Sequence, residues 1–506
     1  MGKCTSRFKL KLPDHFSNQE NNLQRAYSVN GLAAFGVGLV VVLLFALHPS
    51  VNAYHTGFAG WLVSAVFLIS AVAGATTKRI YVLVAILFLV FVEPEVTVTN
   101  TLRFDIVSNG LLIGAGTAWL LDRRRIAESS LPILAAIAGV GLMSVLLPAV
   151  AGTLGWIHIH DALMFGKFGL VVVLAMSVRP EAKMWWIVAG SIAVGSFLVA
   201  MFIIVQSFHI PPISAWMFST YLSARGFTDA ELPQLVNTYS RAYGVAGPIN
   251  SAALLAMSLG AWFVLLIKSS SARNSLVLAA GLSFVLIAVY LTGSRLGIAI
   301  TIPILLMGVV WLKAARRDRQ LLRTIAATMT FAVLVVIGIT LTNYSFGETI
   351  RSTNARVTST IPNLLRGQPD PSFRDRIDEY AQLDLGSFKL TGARGAEWTS
   401  EYVVLIYRFG LAGFLLVWQI WIMLLVRSVR ASSRAISESD RLLGIVAVVA
   451  VLSVVIAAVG THSILDPSRM TLVLITVGLT PALGALARRR SSFGLQPAVV
   501  TAGITG

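Results

Sequence analysis

Cysteine is nearly absent. Cys4 stands alone in 506 residues, so the chain can form no intrachain disulfide and no cysteine-based metal site. Charge is scarce as well: 12% of residues are charged and 56% hydrophobic, whereas a soluble domain carries roughly 25% charged residues. That shortage excludes an ordinary soluble enzyme. No phosphate-cradling glycine loop with its lysine is present, so nothing points to ATP hydrolysis. His158, His160 and Asp161, and likewise His462 and Asp466, lack the paired spacing of a His-Glu-x-x-His zinc helix. Residues 48–57 contain no acidic side chain and cannot supply metal-binding carboxylates. No metal or other cofactor is expected. No apolar signal region precedes Cys4; the first 28 residues are polar and hold Lys3, Arg7, Lys9, Lys11 and Arg25, which reads as a cytoplasmic tail.

What the chain has in place of charge is long apolar runs. A bilayer span needs about 20 mostly apolar residues, and backbone groups in lipid need internal partners. Barrel strands would alternate over about 10 residues; the runs here are continuous, so they predict helices. They fall at 29–47, 58–76, 80–98, 106–121, 131–150, 160–178, 184–205, 249–267, 275–291, 296–312, 324–342, 403–426, 442–459 and 469–487. The expectation is an all-α integral membrane protein with about 14 transmembrane helices. The weak points are 80–98, which Glu93 and Glu95 shorten, and the tight pair around Arg295.

The net charge of +17 does not read as nucleic-acid binding, because the basic residues sit in short clusters between spans and not on one face. Lys and Arg favour cytoplasmic connections. With the N-terminus inside, the inner segments hold 26 of the 40 basic residues, including Lys78–Arg79, Arg123–Arg125 and Lys313 through Arg323. Both termini are therefore expected in the cytoplasm. The one long polar stretch, Tyr344–Tyr402, then faces outward, and loops of this length are usually functional. Trp185 and Trp186, just after Lys183, match the aromatic belt at a cytoplasmic edge.

Charged groups at membrane depth are costly, so each is a candidate site residue. Arg241 opens Arg241-Ala-Tyr-Gly244-Val-Ala-Gly247-Pro248-Ile-Asn250, and Arg295 closes the turn Thr292-Gly293-Ser294-Arg295. Guanidinium forks suit phosphate oxygens, and converging arginines would hold a lipid pyrophosphate without a metal; a lone arginine snorkels to head groups just as readily. Lys167, about 7 residues into its span and roughly 10 Å deep, reads as an internal counter-ion or site lysine. Arg374 and Arg376 belong to a charged loop helix that also reads as solvated and self-paired.

The segment Arg241-x-x-Gly244-x-x-Gly247-Pro248-x-Asn250 resembles the signature of the O-antigen ligase and polymerase family. The Thr292–Arg295 turn is similar to the start of that family's membrane domain. The loop's end, Leu390-Thr-Gly392-Ala-Arg394-Gly395 followed by Tyr402 and Gly410-Leu-Ala-Gly413, resembles its glycine turn, aromatic residue and glycine-spaced helix. The likeness covers roughly 235–425. It implies a GT-C-like, inverting membrane glycosyltransferase that needs no metal, in a bacterial inner membrane. Its donor would be an undecaprenyl-pyrophosphate-linked oligosaccharide taken from the periplasmic face, and polysaccharide export or chain-length proteins would be partners. Arg241 and Arg295 would then neutralise the pyrophosphate leaving group, with Lys167, Asn250, Arg374, Arg376, Arg394 and Tyr402 around the substrate. Ligases carry a His-Asn pair where this chain has Thr399 and Ser400, which leaves Glu401 as the nearest base; its other reading is a carboxylate favouring a helix N-terminus. The missing histidine favours a repeat-unit polymerase over a ligase that passes glycan to lipid A core. A lipid-linked oligosaccharide flippase is the rival from another class. The implied organisation is a tail at 1–28, helices over 29–235, the family-like domain at 236–342 and 403–487, the loop at 343–402 and a C-terminal tail at 488–506.

Overall fold

The computed structural model describes residues 28–43, 58–93, 96–97, 103–122, 126, 128–150, 152, 154–178, 184–208, 210–217, 220, 242, 244–314, 401–435, 437–459 and 466–480, with isolated positions between 328 and 359. The chain is helical, as continuous apolar runs require. The helices are α1 (Ser28–Leu43), α2 (Phe58–Thr76), α3 (Arg79–Val92), α4 (Ile106–Leu121), α5 (Leu131–Val150), α6 (Trp156–Ser177), α7 (Met184–Gln206) and α8 (Pro211–Met217). They continue as α9 (Pro248–Lys268), α10 (Ala272–Leu291), α11 (Arg295–Ala314), α12 (Glu401–Arg434), α13 (Glu438–Ala457) and α14 (Pro467–Gly478). The apolar run at 324–342 lies outside the described residues but for isolated positions.

Among the described residues, 8 helices are long and apolar enough to cross a membrane, which makes this an α-helical, multi-pass membrane protein. The apolar run at 80–98 gives a shorter helix than expected. Glu93-Pro94-Glu95 interrupts it, and a residue before proline is pushed out of the α region; α3 ends at Val92 after 14 residues, roughly 21 Å at 1.5 Å per residue. Val96–Thr97 (β1) then pairs antiparallel with Arg103–Phe104 (β2), Val96 opposite Phe104.

The chain divides into two compact units, one of residues 1–82 and 106–124, the other of 83–105 and 125–506. In the first, α2 and α4 touch backbone to backbone. A Cβ on Gly114 would lie 1.8 Å from the Ala71 carbonyl oxygen, and one on Gly74 2.2 Å from that of Leu111. With Gly110 and Gly114 four apart, this is small-residue packing, where attraction comes from van der Waals contact and not from water exclusion. Arg79 pairs with Asp122 where α3 begins and α4 ends.

In the second unit α9 is the central helix, with 89% of its apolar window buried, followed by α13 at 78%. Gly260 lets them approach, since a Cβ there would stand 3.0 Å from the Val446 Cα. Polar side chains within helices turn back on their own backbone: Ser283 Oγ donates to the Ala279 carbonyl at 2.7 Å and Ser453 Oγ to Val449 at 2.7 Å. Trp262 Nε1 donates across to Ser196 Oγ on α7 at 3.1 Å.

Helix ends expected on one side of a membrane lie together in this unit. At one end Lys268 of α9 pairs with Glu438 of α13. There too the buried Arg427 of α12 donates to the Thr480 carbonyl at 2.7 Å and to the Gly478 carbonyl at 3.5 Å, a cation at the C-terminus of α14. Of the candidate site residues, Asn250, Arg295 and Tyr402 lie at the other end, at the starts of α9, α11 and α12.

Candidate functional site

The segment after Arg241 is a tight turn, and its glycines have a backbone reason. Gly244 and Gly247 hold φ of 61° and 81°, a region that side chains disfavour. Gly247 caps α9, and Pro248 occupies its first turn, where a missing N–H costs nothing. Gln206 Oε1 accepts from the Gly244 N–H at 2.8 Å, and the buried Ser251 Oγ accepts from Ala246 N–H at 3.0 Å. Asn250 projects from the first turn of α9 and lines a small cleft with Glu93, Val245, Ala246, Asp466 and Arg469.

The second turn is built the same way. Gly293 has φ 60°, and Thr292 Oγ1 donates to the Val289 carbonyl at 2.7 Å. Ser294 Oγ accepts from Gly297 N–H at 3.0 Å, the N-cap arrangement that starts α11 and sets half-buried Arg295 on its first turn. The two turns meet. Ala242, the residue after Arg241, donates its N–H to the Leu291 carbonyl at 3.1 Å. A Cβ on Gly297 would stand 2.3 Å from the Ala252 Cβ, so α9 and α11 touch directly behind Arg295. Arg241 itself lies outside the described residues, as do Arg374, Arg376 and Arg394.

Glu401 is the first residue of α12; its side chain lies outside the described residues. The apolar run at 403–426 is not one straight helix. Gly410, at φ 68° and ψ 179°, breaks it. The turn of helix before Gly410 folds back beside the part after it, because Tyr402 stacks on Trp418 with ring centroids 5.6 Å apart. Along an unbroken helix those residues would be roughly 24 Å apart. Tyr402 Oη donates to the Val455 carbonyl at 2.6 Å, in the last turn of α13, where helical donors run out.

Lys167 has the counter-ion that its depth calls for. Its Nζ lies 3.1 Å from Asp105 Oδ2, both side chains under one-fifth exposed. Asp161, which the sequence offered only as a metal candidate, accepts from Arg408: Nε reaches Oδ2 at 2.7 Å and Nη2 reaches Oδ1, a two-pronged pair. The Asp161 side chain is 1% exposed and that of Arg408 33%. This pair and the buried Arg469 are what sequence reasoning missed. The available signal was a carboxylate and an arginine each set in a span, which require partners in lipid. His158 Nδ1 accepts from Gly155 N–H at 3.0 Å and closes the start of α6. Among the described residues no three His, Cys, Asp or Glu side chains are grouped to hold a metal ion.

At this end of the unit the turn after Arg241 and the turn before Arg295 are joined by the Ala242–Leu291 hydrogen bond, and Tyr402 at the start of α12 is tied to the last turn of α13. No family model, no curated protein and no solved structure matches the chain.

Proposed function

We propose that the chain is a metal-independent membrane glycosyltransferase, a repeat-unit polymerase, working on the outer face of a bacterial inner membrane with both termini in the cytoplasm. The donor is an undecaprenyl-pyrophosphate-linked oligosaccharide and the acceptor a second lipid-linked saccharide. The acceptor hydroxyl oxygen bonds to the donor's anomeric carbon, the bond from that carbon to the pyrophosphate oxygen breaks, and the hydroxyl proton passes to Glu401. Undecaprenyl pyrophosphate leaves, its charge held by Arg241 and Arg295, as fixed cations best stabilise charge that develops during reaction. The observation that carries the reading is the hydrogen bond from Ala242 N–H to the Leu291 carbonyl, which puts the turn after Arg241 against the turn before Arg295. Short turns at span ends, locked by glycines at positive φ and by the hydroxyls of Ser251 and Ser294, suit a preorganised anion clamp.

A flippase is the second reading, favoured by ion pairs among the spans, Asp161 of α6 with Arg408 of α12 and Lys167 of α6 with Asp105 just before α4. The decisive experiment compares lipid-linked saccharides in a strain lacking the protein with one making Arg295→Ala. A polymerase predicts single repeat units accumulating outside the cytoplasm in both strains, with the variant still inserted at normal levels. Long chains stranded on the carrier would make the protein a ligase, and units trapped on the cytoplasmic face a flippase. Normal glycan length in the variant would remove Arg295 from the site.

A further inference from the structure

At the end of the second unit opposite the candidate site, α7, α9, α10 and α13 enclose an open groove of about 870 Å³, within the range of ligand-binding clefts. We infer that this groove binds one phospholipid of the surrounding bilayer through a zwitterionic head group bearing a primary ammonium.

Three observations support it. The groove grades along the helix axes from a polar lip to an apolar throat. Lys268, Ser269 and Asn274 form the lip, while Leu265 lies 3 residues deeper on α9 and Val277 5 residues into α10. The 3-residue steps from Lys268 to Leu265 and from Asn274 to Val277 set the two levels roughly 4.5 Å apart at 1.5 Å per residue, about the step from a phosphate to the start of its acyl chains. Trp185 and Trp186 also line it, ring centroids 5.9 Å apart, and Trp186 is 55% exposed; such rings settle at the head-group level. Lastly, the charges are mixed. Lys268 and Glu438 pair directly at the lip, with side chains 26% and 66% exposed, and Asp440 joins the lining. A purely anionic head group meets two carboxylates for one lysine. A phosphate beside an ammonium matches both signs, and a primary ammonium donates hydrogen bonds to Glu438 that a quaternary one cannot.

The full-length protein, stripped of lipid in detergent, would be titrated with phosphatidylethanolamine, phosphatidylglycerol and phosphatidylcholine and read by native mass spectrometry. Phosphatidylethanolamine should be retained most. Lys268→Ala should weaken its retention roughly three- to fivefold, the scale of one partly exposed charged contact. Glu438→Gln should erase the preference over phosphatidylcholine. Leu276→Ala, on α10 but outside the groove and 59% exposed, should change nothing. Should Lys268→Ala fail to fold, Trp186→Ala at its exposed position carries the same test. Equal retention of the three lipids, a preference for phosphatidylglycerol, or indifference to these groove variants would overturn the inference. So would displacement of the lipid by soluble glycerophosphoethanolamine at equal concentration, since a bare head group would then suffice.

Discussion

Asp161 and Arg408 show how burial decides what a charge costs. The carboxylate is almost wholly out of water, whereas the guanidinium keeps a third of its surface exposed. Removing one partner of a buried pair costs about 3–5 kcal/mol because the other charge is stranded. The two single variants should therefore differ. Arg408→Gln strands the buried carboxylate and should lower stability by about 3 kcal/mol, whereas Asp161→Asn leaves a guanidinium with a third of its surface outside the packed helices and should cost clearly less. Thermal unfolding in detergent would show the asymmetry, and equal losses would mean that Arg408 is as buried as Asp161. Tyr402 can be divided in the same way. Tyr402→Phe keeps the stack on Trp418 and loses the hydrogen bond to the Val455 carbonyl, a change of about 1 kcal/mol. If activity fell far below what that loss explains, the hydroxyl would be acting on substrate.

At the scale of elements, two glycines are needed for different reasons. Gly410 turns the chain so that the first part of α12, bearing Glu401 and Tyr402, folds back on the part after the break. Its φ of 68° with ψ of 179° falls in a region essentially reserved for glycine and costs any other residue roughly 1–3 kcal/mol, so Gly410→Ala should destabilise by that amount or straighten the helix. Loss of Tyr402–Trp418 stacking, read by near-ultraviolet circular dichroism, would distinguish straightening from simple strain. Gly114 holds no special backbone angle; it is needed for space. A leucine side chain there would meet the Ala71 carbonyl and force α2 from α4, so Gly114→Leu should lower folded yield sharply. Gly36, whose Cβ would meet nothing within 4 Å, provides the control: Gly36→Leu should be accumulated normally.

For the whole molecule, what could be read from sequence was what is local. Apolar runs of 16–24 residues announced the helices because lipid allows little else, and α3 fell short where Glu93-Pro94-Glu95 stood in view. The fold-back at Gly410 was hidden, since one backbone angle leaves an apolar run looking continuous. The partners of Lys167 and Asp161 lie 62 and 247 residues away, and no periodicity reports pairing over that distance. The arginine-bearing turns were legible as motifs, while their meeting through Ala242 and Leu291 was not. Orientation rests on the distribution of Lys and Arg, and the lone Cys4 makes it easy to test. In a Cys4→Ser background, Val459→Cys reports one end of the second unit and Ser270→Cys the other, both positions being exposed. A membrane-impermeant thiol reagent added outside spheroplasts should label Val459→Cys and spare Ser270→Cys. The reverse pattern would move the arginine turns to the cytoplasmic face, where a carrier-linked donor facing the periplasm could not reach them, and the polymerase proposal would fall with it.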